Sequence, residues 1–303
     1  MNIILRSFLY ATLLCATSTM QAAPSPLHYA AENGLIDNLK MMLSLKCFDV
    51  NGKNNKDLTP IHLATQHNHV DCVQELITHG ANVNAIETQE GLTPLHTAIS
   101  INNPEIVQIL LKHDADVNTT IMHTTTSQEC SICGATALHL AFRLNHVECA
   151  RVILDHNPNV FAMDCFSETP LHVAVRYGSI DCINLLMEHL AQKKAYIINE
   201  YGYADNKQLI AEETNIDVTS STGCTPLHYA AFKGCIEAAK ILINHGANVH
   251  ARNKRNHTPR DAALITGQEI ATILQAKEEV TPQNLAEAVS RLAFAQYFER
   301  YLS

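Results

Sequence analysis

The chain has 303 residues, no tryptophan, only 6% aromatic residues, and a net charge of −9 from 21 Lys and Arg against 30 Asp and Glu. An acidic balance with no basic tract argues against nucleic acid or an anionic membrane as a partner. So few aromatics argue against one large globular core, which aromatic side chains usually dominate.

Residues 1–22, MNIILRSFLYATLLCATSTMQA, come first. Arg6 supplies a short positive region, an apolar run from Phe8 to about Ala16 follows, and small and polar residues close the segment. This is the layout of a secretory signal peptide, too short to remain as a membrane anchor. Cleavage is expected after Ala22, because Pro24 excludes the next bond, with Ser18 the second option; a buried N-terminal helix is the alternative reading. No other long apolar run follows, so no integral membrane segment is expected after cleavage. Without Arg6 the mature chain carries 20 basic against 30 acidic residues. A leader implies export, periplasmic or secreted, with delivery into a host cell a further destination.

From Ser25 the chain repeats itself. SPLHYAAENG, LTPIHLATQHN, GLTPLHTAISIN, GATALHLAFRLN, ETPLHVAVRYG and GCTPLHYAAFKG are six variants of one stretch, and HTPRDAALITG is a seventh. Ser25, Thr59, Thr93, Thr136, Thr169, Thr225 and Thr258 head the copies, at steps of 34, 34, 43, 33, 56 and 33 residues. Two insertions, near 119–133 and 190–216, account for the long steps. A fixed period of this size is the mark of a repeat solenoid.

Each copy reads as a helix pair. Thr225 is an N-cap and Pro226 sits at N1, where its missing N–H costs nothing. Leu227, Ala230 and Ala231 give a face of small apolar side chains, and Gly234 stops the helix in the left-handed region. Asn68, Asn102 and Asn145 hold the Gly234 place elsewhere, Asn being the next residue to tolerate it. CIEAAKILINHG then reads as a second amphipathic helix, and ANVHARNKRN crosses to the next Thr as an extended finger.

TPLHxA, then Gly or Asn, then LLxxGAxVN, at a period of 33, resembles the ankyrin repeat. The resemblance covers Ser25 to about Glu279. It implies an all-α repeat solenoid, a stack of helix–turn–helix units with short β-hairpin fingers, filling residues 23–279. No such unit buries its own apolar face, so the ends must differ. In the seventh copy Arg260 and Asp261 replace the usual Leu and His. Residues 280–303 follow, with Leu285, Ala288, Val289, Leu292, Phe298 and Tyr301 at helical spacing; a C-terminal helix capping the stack is expected.

Seventeen His and ten Cys invite a metal reading. Yet His28, His62, His96, His139, His172 and His228 share one slot, where the resemblance implies hydrogen bonds within and between units. Successive members should be roughly 10 Å apart, too far to share one zinc. His79, His113, His156, His189 and His245 are expected to close second helices, where imidazole suits the negative end of the dipole. Cys72, Cys149 and Cys182 share another slot and read as small buried hydrophobes. Nine cysteines remain after cleavage, an odd number that sits awkwardly with an oxidising compartment. Cys130 and Cys133 form a CxxC in the first insertion, read as a local disulfide or as two exposed thiols; a zinc or redox site is the competing reading. No phosphate loop, HExxH or GxSxG is present, so no enzyme, cofactor or catalytic residue is expected.

Function should then lie in what varies between copies. The two residues after each small pair border the concave surface that, by the resemblance, meets partner proteins. In three consecutive units a cation accompanies a large apolar or aromatic residue: Arg143 with Leu144, Arg176 with Tyr177, and Phe232 with Lys233. Arg and Tyr are enriched at interface hot spots. The second insertion adds Tyr196, Tyr201 and Tyr203, and long inserts in compact repeats are often functional. The expected role is a protein-binding scaffold or adaptor that meets its partner through its concave face and long fingers, an exported effector among the readings, with a thiol- or metal-dependent factor using Cys130 and Cys133 as the alternative.

Overall fold

The computed structural model describes residues 25–122, 132–201, 206–266 and 268–277. The expected leader, the expected C-terminal helix, Cys130 and Tyr203 lie outside the described residues. Two compact blocks are distinguished: an N-terminal block running to Leu140 and including Arg151–Pro158, and a C-terminal block of Ala141–Ala150 and the chain from Asn159.

First and second helices alternate along the chain. In the N-terminal block α1 (Pro26–Glu32), α3 (Pro60–Gln66) and α5 (Pro94–Ser100) are first helices, and α2 (Ile36–Ser44), α4 (Val70–Thr78) and α6 (Pro104–Lys112) are their partners. The division between blocks runs through α7 (Ala137–Arg143) and α8 (Val147–Leu154). The C-terminal block continues with α9 (Pro170–Tyr177), α10 (Ile180–Tyr201), α11 (Lys207–Glu213), α12 (Pro226–Lys233), α13 (Ile236–Asn244), α14 (Pro259–Thr266) and α15 (Gln268–Lys277). Within each block first helices pack on first helices and second helices on second helices: α1 on α3 and α3 on α5 in one, α9 on α12 and α12 on α14 in the other. No strand occurs among the described residues.

The first helices start as their sequence dictates. Thr59, Thr93, Thr169 and Thr225 are extended N-caps followed by Pro, and each forms a reciprocal box with the His three residues on. Ala30, Ala31, Ala64, Ala98, Ala141, Ala174, Ala230 and Ala231 are all buried, so neighbouring helices approach on methyl groups rather than long side chains. Termination is as expected: Asn68, Asn102 and Asn145 adopt φ of 64°, 56° and 55°, beside Gly178 at 72° and Gly234 at 70°. At the second-helix ends His79, His156 and His245 donate from Nδ1 to the carbonyl four residues back, at 3.0, 2.9 and 2.9 Å. His189 departs from that expectation. Helix α10 runs on to Tyr201, which leaves His189 in its interior.

The fingers are closed turns. Asn54, Asp164, Ser220 and Asn253 each donate N–H to the carbonyl four residues on, Leu58, Glu168, Cys224 and His257, at 2.9–3.0 Å. The residue two before each Thr is left-handed, whether Asp57, Gly91, Gly134, Ser167, Gly223 or Asn256. At Gly91 a Cβ would lie 2.1 Å from the Met122 carbonyl oxygen, so only glycine fits. Finger bases are laced to one another. Asn51 donates to Gly80 O at 3.1 Å and accepts from Asn82 N at 2.7 Å, and Asn84 repeats the pattern with Asp114 and Asp116.

The two insertions are handled differently. Ile121 and the Gly134–Ala135 pair exchange hydrogen bonds of 2.9 and 2.8 Å, forming a neck from which the first insertion leaves. Among its described residues the second insertion is mostly helical. It lengthens α10 and adds α11, with Ile197 and Ile210 buried and Lys193 paired to Glu213 at 2.5 Å.

Candidate functional site

The repeated histidines come first, because their geometry decides whether they are ligands or scaffold. His62 Nδ1 lies 2.8 Å from Thr59 Oγ1 and 3.3 Å from Thr59 N, and Thr93/His96, Thr136/His139, Thr169/His172 and Thr225/His228 repeat the arrangement. A backbone N–H can only donate, so Nδ1 is the bare nitrogen and the proton sits on Nε2. Nε2 then donates forward to the next repeat: His28 to Leu58 O at 3.1 Å, His172 to Cys224 O at 3.0 Å, His228 to His257 O at 2.9 Å. His28, His172 and His228 are thus neutral struts across a repeat boundary, His62 reaches Leu92 O at 3.4 Å, and the buried His96 Nε2 has no hydrogen-bond partner. In the seventh copy Asp261 Oδ2 accepts from Thr258 N at 2.8 Å and Oγ1 at 3.0 Å. A carboxylate can do the capping half of the job but cannot donate forward.

Among the described residues no cluster of three or more His, Cys, Asp or Glu could hold a metal ion. Cys72, Cys149 and Cys182 are buried, as expected of small hydrophobes. Burial pushes the Cys149 thiol up to about 11 and Cys182 up to about 12, which keeps both protonated and unreactive at neutral pH. Cys133 is half-buried near the neck of the first insertion. Its proposed partner Cys130 lies outside the described residues, so their pairing is not described.

The variable pairs all lie in the C-terminal block, and Arg143 of one meets Tyr177 of the next. The Arg143 guanidinium lies over the Tyr177 ring, 5.0 Å from its centroid. Tyr177 is 47% exposed and Leu144 40%, so this cation–aromatic pair presents apolar surface to solvent. Lys233 is exposed one position further along the row, with Phe232 half-buried beside it. Tyr196 is 60% exposed on the lengthened α10, and Tyr201 is that helix's last residue.

Arg176 is different. Its guanidinium pairs with Glu168, a carboxylate only 1% exposed, and lies 5.9 Å from the Phe166 ring centroid and 5.4 Å from that of Tyr229. Tyr229 also donates its hydroxyl to Glu168 Oε1 at 2.5 Å. Burial pushes the Glu168 carboxyl up, against the opposing pull of Tyr229 and Arg176. The Tyr229 phenol is pushed up to about 12 by its own burial and by Glu168. Phe166, Glu168 and Tyr229 were not singled out from sequence. The available signal was Glu168 itself: the residue before the Thr is Leu58, Leu92, Ala135, Cys224 or His257 elsewhere, and a carboxylate there needs a buried cation.

Arg176 is therefore partly a structural strut. Arg176→Ala is expected to destabilise the fold by about 2 kcal/mol, because it strands the buried carboxylate. Urea melts of Arg176→Ala beside the Arg176→Ala, Glu168→Gln double variant check this, the second recovering part of the loss. Equal melts of wild type and Arg176→Ala would show that the pair carries no stability.

Comparison with known proteins settles the lineage. A family model for ankyrin repeats matches three times, over residues 23–121, 122–199 and 195–284. The chain belongs to the ankyrin-repeat family. Among solved structures, the ankyrin repeat domain of human ASB11 matches with a TM-score of 0.62 and 26% identity, over 85% of this chain and 100% of that domain. The ankyrin repeat domain of Bcl-3 matches with a TM-score of 0.68 and 24% identity over 84% of this chain and 99% of that domain, a likeness of fold alone. Curated relatives match only in part. Ankyrin repeat protein OPG189 of monkeypox virus is 41% identical over 66 residues, 21% of this chain and 12% of that protein. Human ankyrin repeat domain-containing protein 49 is 43% identical over 68 residues, 22% of this chain and 28% of that protein. The struts and caps described above are thus the ankyrin scaffold, and the Arg143–Tyr177 pair stands on its variable surface.

Proposed function

We propose that this ankyrin-repeat chain is a protein-binding module, and that its partner docks on the row formed by Arg143, Leu144, Tyr177 and Lys233. The observation that carries the reading is the Arg143–Tyr177 stack, a charge and an exposed ring already held together before any partner arrives. Pre-ordered side chains lose little entropy on binding, so such a pair suits a hot spot. Arg176 contributes a smaller, third-exposed edge because Glu168 holds it. No helix among the described residues is long and apolar enough to cross a membrane.

The test compares capture of binding proteins from the native source by three forms of the chain. Tyr177→Ala with Leu144→Ser should weaken binding of the captured partner by about 2 kcal/mol, the threshold of a hot spot. Gln66→Ala with His67→Ala should leave it unchanged, since both lie on exposed, polar surface of the N-terminal block. Equal effects of the two changes would place binding elsewhere. Residues 1–22 support a further reading, that the chain is exported and begins at about Ala23. Intact-mass measurement on protein from its native host checks it, and a chain retaining Met1 would overturn it.

A further inference from the structure

Two asparagines of the chain are followed by glycine, Asn33–Gly34 and Asn51–Gly52. The backbone nitrogen after an asparagine can reach its side-chain carbonyl carbon, and a glycine has no side chain to crowd that approach. The fold holds the two pairs differently. Asn51 stands at the base of the first finger and laces it to the second: Nδ2 donates to Gly80 O at 3.1 Å, and Oδ1 accepts from Asn82 N at 2.7 Å. Asp49 steadies the turn, accepting from Asn51 N at 2.9 Å through Oδ1 and from Gly52 N at 3.1 Å through its carbonyl. Asn51, Gly80 and Asn82 are all exposed. Asn33 instead ends α1, its Nδ2 donating to Tyr29 O at 2.9 Å. Its ψ of 5° turns Gly34 N to eclipse Asn33's own nitrogen rather than its side chain. Gly34 is left-handed at φ 67°, with the His69 ring packed where a Cβ would lie.

Releasing the two side chains therefore costs different amounts. Freeing Asn51 requires only that surface hydrogen bonds between two finger bases part, with no side chain leaving the core. Freeing Asn33 requires that the end of α1 unwind and Gly34 move off His69. Exposed hydrogen bonds with little buried apolar contact open at the low end of a protein's range of local stabilities. Asn84 supplies the contrast within the fold. It makes the same lace, donating to Asp114 O at 3.0 Å and accepting from Asp116 N at 2.8 Å, but the residue after it is Ala85, whose side chain is buried.

We propose that Asn51–Gly52 is a self-modification site, where the amide converts to a carboxylate when the lace between the first two fingers opens. Gly52 N attacks Asn51 Cγ, the new C–N bond closes a cyclic imide, and the amide nitrogen leaves as ammonia. Water then opens the ring at either carbonyl. The sum is amide plus water giving carboxylic acid plus ammonia, with no change of oxidation state. One ring opening leaves aspartate; the other leaves isoaspartate, whose backbone is longer by one carbon. Asp217 shows what an aspartate does in such a lace: it accepts Asn248 N at 3.0 and 3.1 Å, and a carboxylate has no proton to donate to a carbonyl as Asn51 does. Aspartate at position 51 thus keeps half of the lace, and isoaspartate, with its carboxylate displaced, keeps neither half. A transient parting of the first two fingers becomes permanent.

The test incubates the full chain at mildly alkaline pH in heavy-oxygen water, folded and in urea above its transition, and follows each asparagine by peptide mass. Every conversion takes up one labelled oxygen. In the folded chain Asn51 should convert at least tenfold faster than Asn33, and Asn84 should stay unconverted. In urea, where neither glycine pair is held, Asn33 and Asn51 should convert at similar rates. Asp49→Ala removes the acceptor of Asn51 N. It should speed the folded-state reaction at Asn51 threefold or more and leave that at Asn33 unchanged, which separates local release from general loosening. After conversion the Asn82 N–H should exchange with solvent faster than in wild type and faster than in Asn51→Asp, because only isoaspartate releases it. Equal rates at Asn33 and Asn51 in the folded chain overturn the proposal, as does conversion of Asn51 in urea alone. So does an Asn82 N–H that is equally protected before and after conversion.

Discussion

Leu227→Ala is expected to cost about 2–5 kcal/mol of stability, the range for emptying a packed leucine site. Leu227 is 1% exposed on α12, and α12 packs against α9 of the preceding repeat, against α14 of the following one, and against its own partner α13. Its neighbours on the helix, Ala230 and Ala231, are fully buried methyl groups with nothing further to extend into the gap. The cavity should therefore persist rather than collapse. In a solenoid the stability resides in the interfaces between repeats, so one cavity here loosens two of them. Urea denaturation reports the result. A loss below about 0.5 kcal/mol would mean that repeat six is not stacked on both neighbours.

Acid should also weaken the fold, and the histidine struts are the reason. Burial holds His96 down to about 4 from its ordinary 6.5, and His28, His62 and His228 are lowered by burial too. Between those values the unfolded chain takes up a proton that the folded chain refuses. Uptake favours the unfolded state, so stability is complete above about pH 6.5 and is lost as pH falls towards 4. At about 1.4 kcal/mol per unit, His96 alone accounts for about 3 kcal/mol over the whole window. Glu168 and Asp217 act in the opposite sense, because burial raises their carboxyls and the folded chain binds those protons more readily. Their contribution enters near the acid end, so the net decline should be steepest where histidine alone titrates. Urea midpoints at about pH 7.5, 6 and 5 should fall in that order; a flat series would show that the imidazoles are not held neutral.

The histidines also show where sequence reasoning reached its limit. Equivalent spacing was enough to assign them to the scaffold and to dismiss a zinc site. It could not show which nitrogen carries the proton, because that depends on a backbone donor behind the ring and a carbonyl from another repeat ahead of it. Asp261 in the last copy was legible as a change of residue type. Its meaning, that the chain of forward bonds has ended, needed the geometry around Thr258.

Period, caps, stops and the small-residue face were written in the sequence because each is local. A Thr–Pro start, an Ala pair and a left-handed Asn or Gly act within one helix turn, so a single chain read in order reveals them. The second insertion was not legible in the same way. Its residues carried no clear period, and the burial of Ile197 on α10 and Ile210 on α11 came only with the tertiary structure. The candidate site divided along the same line. Arg143 and Tyr177 were visible as variable residues in adjacent copies, and the stack between them follows from repeat geometry. Arg176 looked like their equal in sequence, but Glu168 stands eight residues before it and Tyr229 arrives from the next repeat. A buried carboxylate must find a cation, and only the tertiary structure decided that Arg176 would serve it.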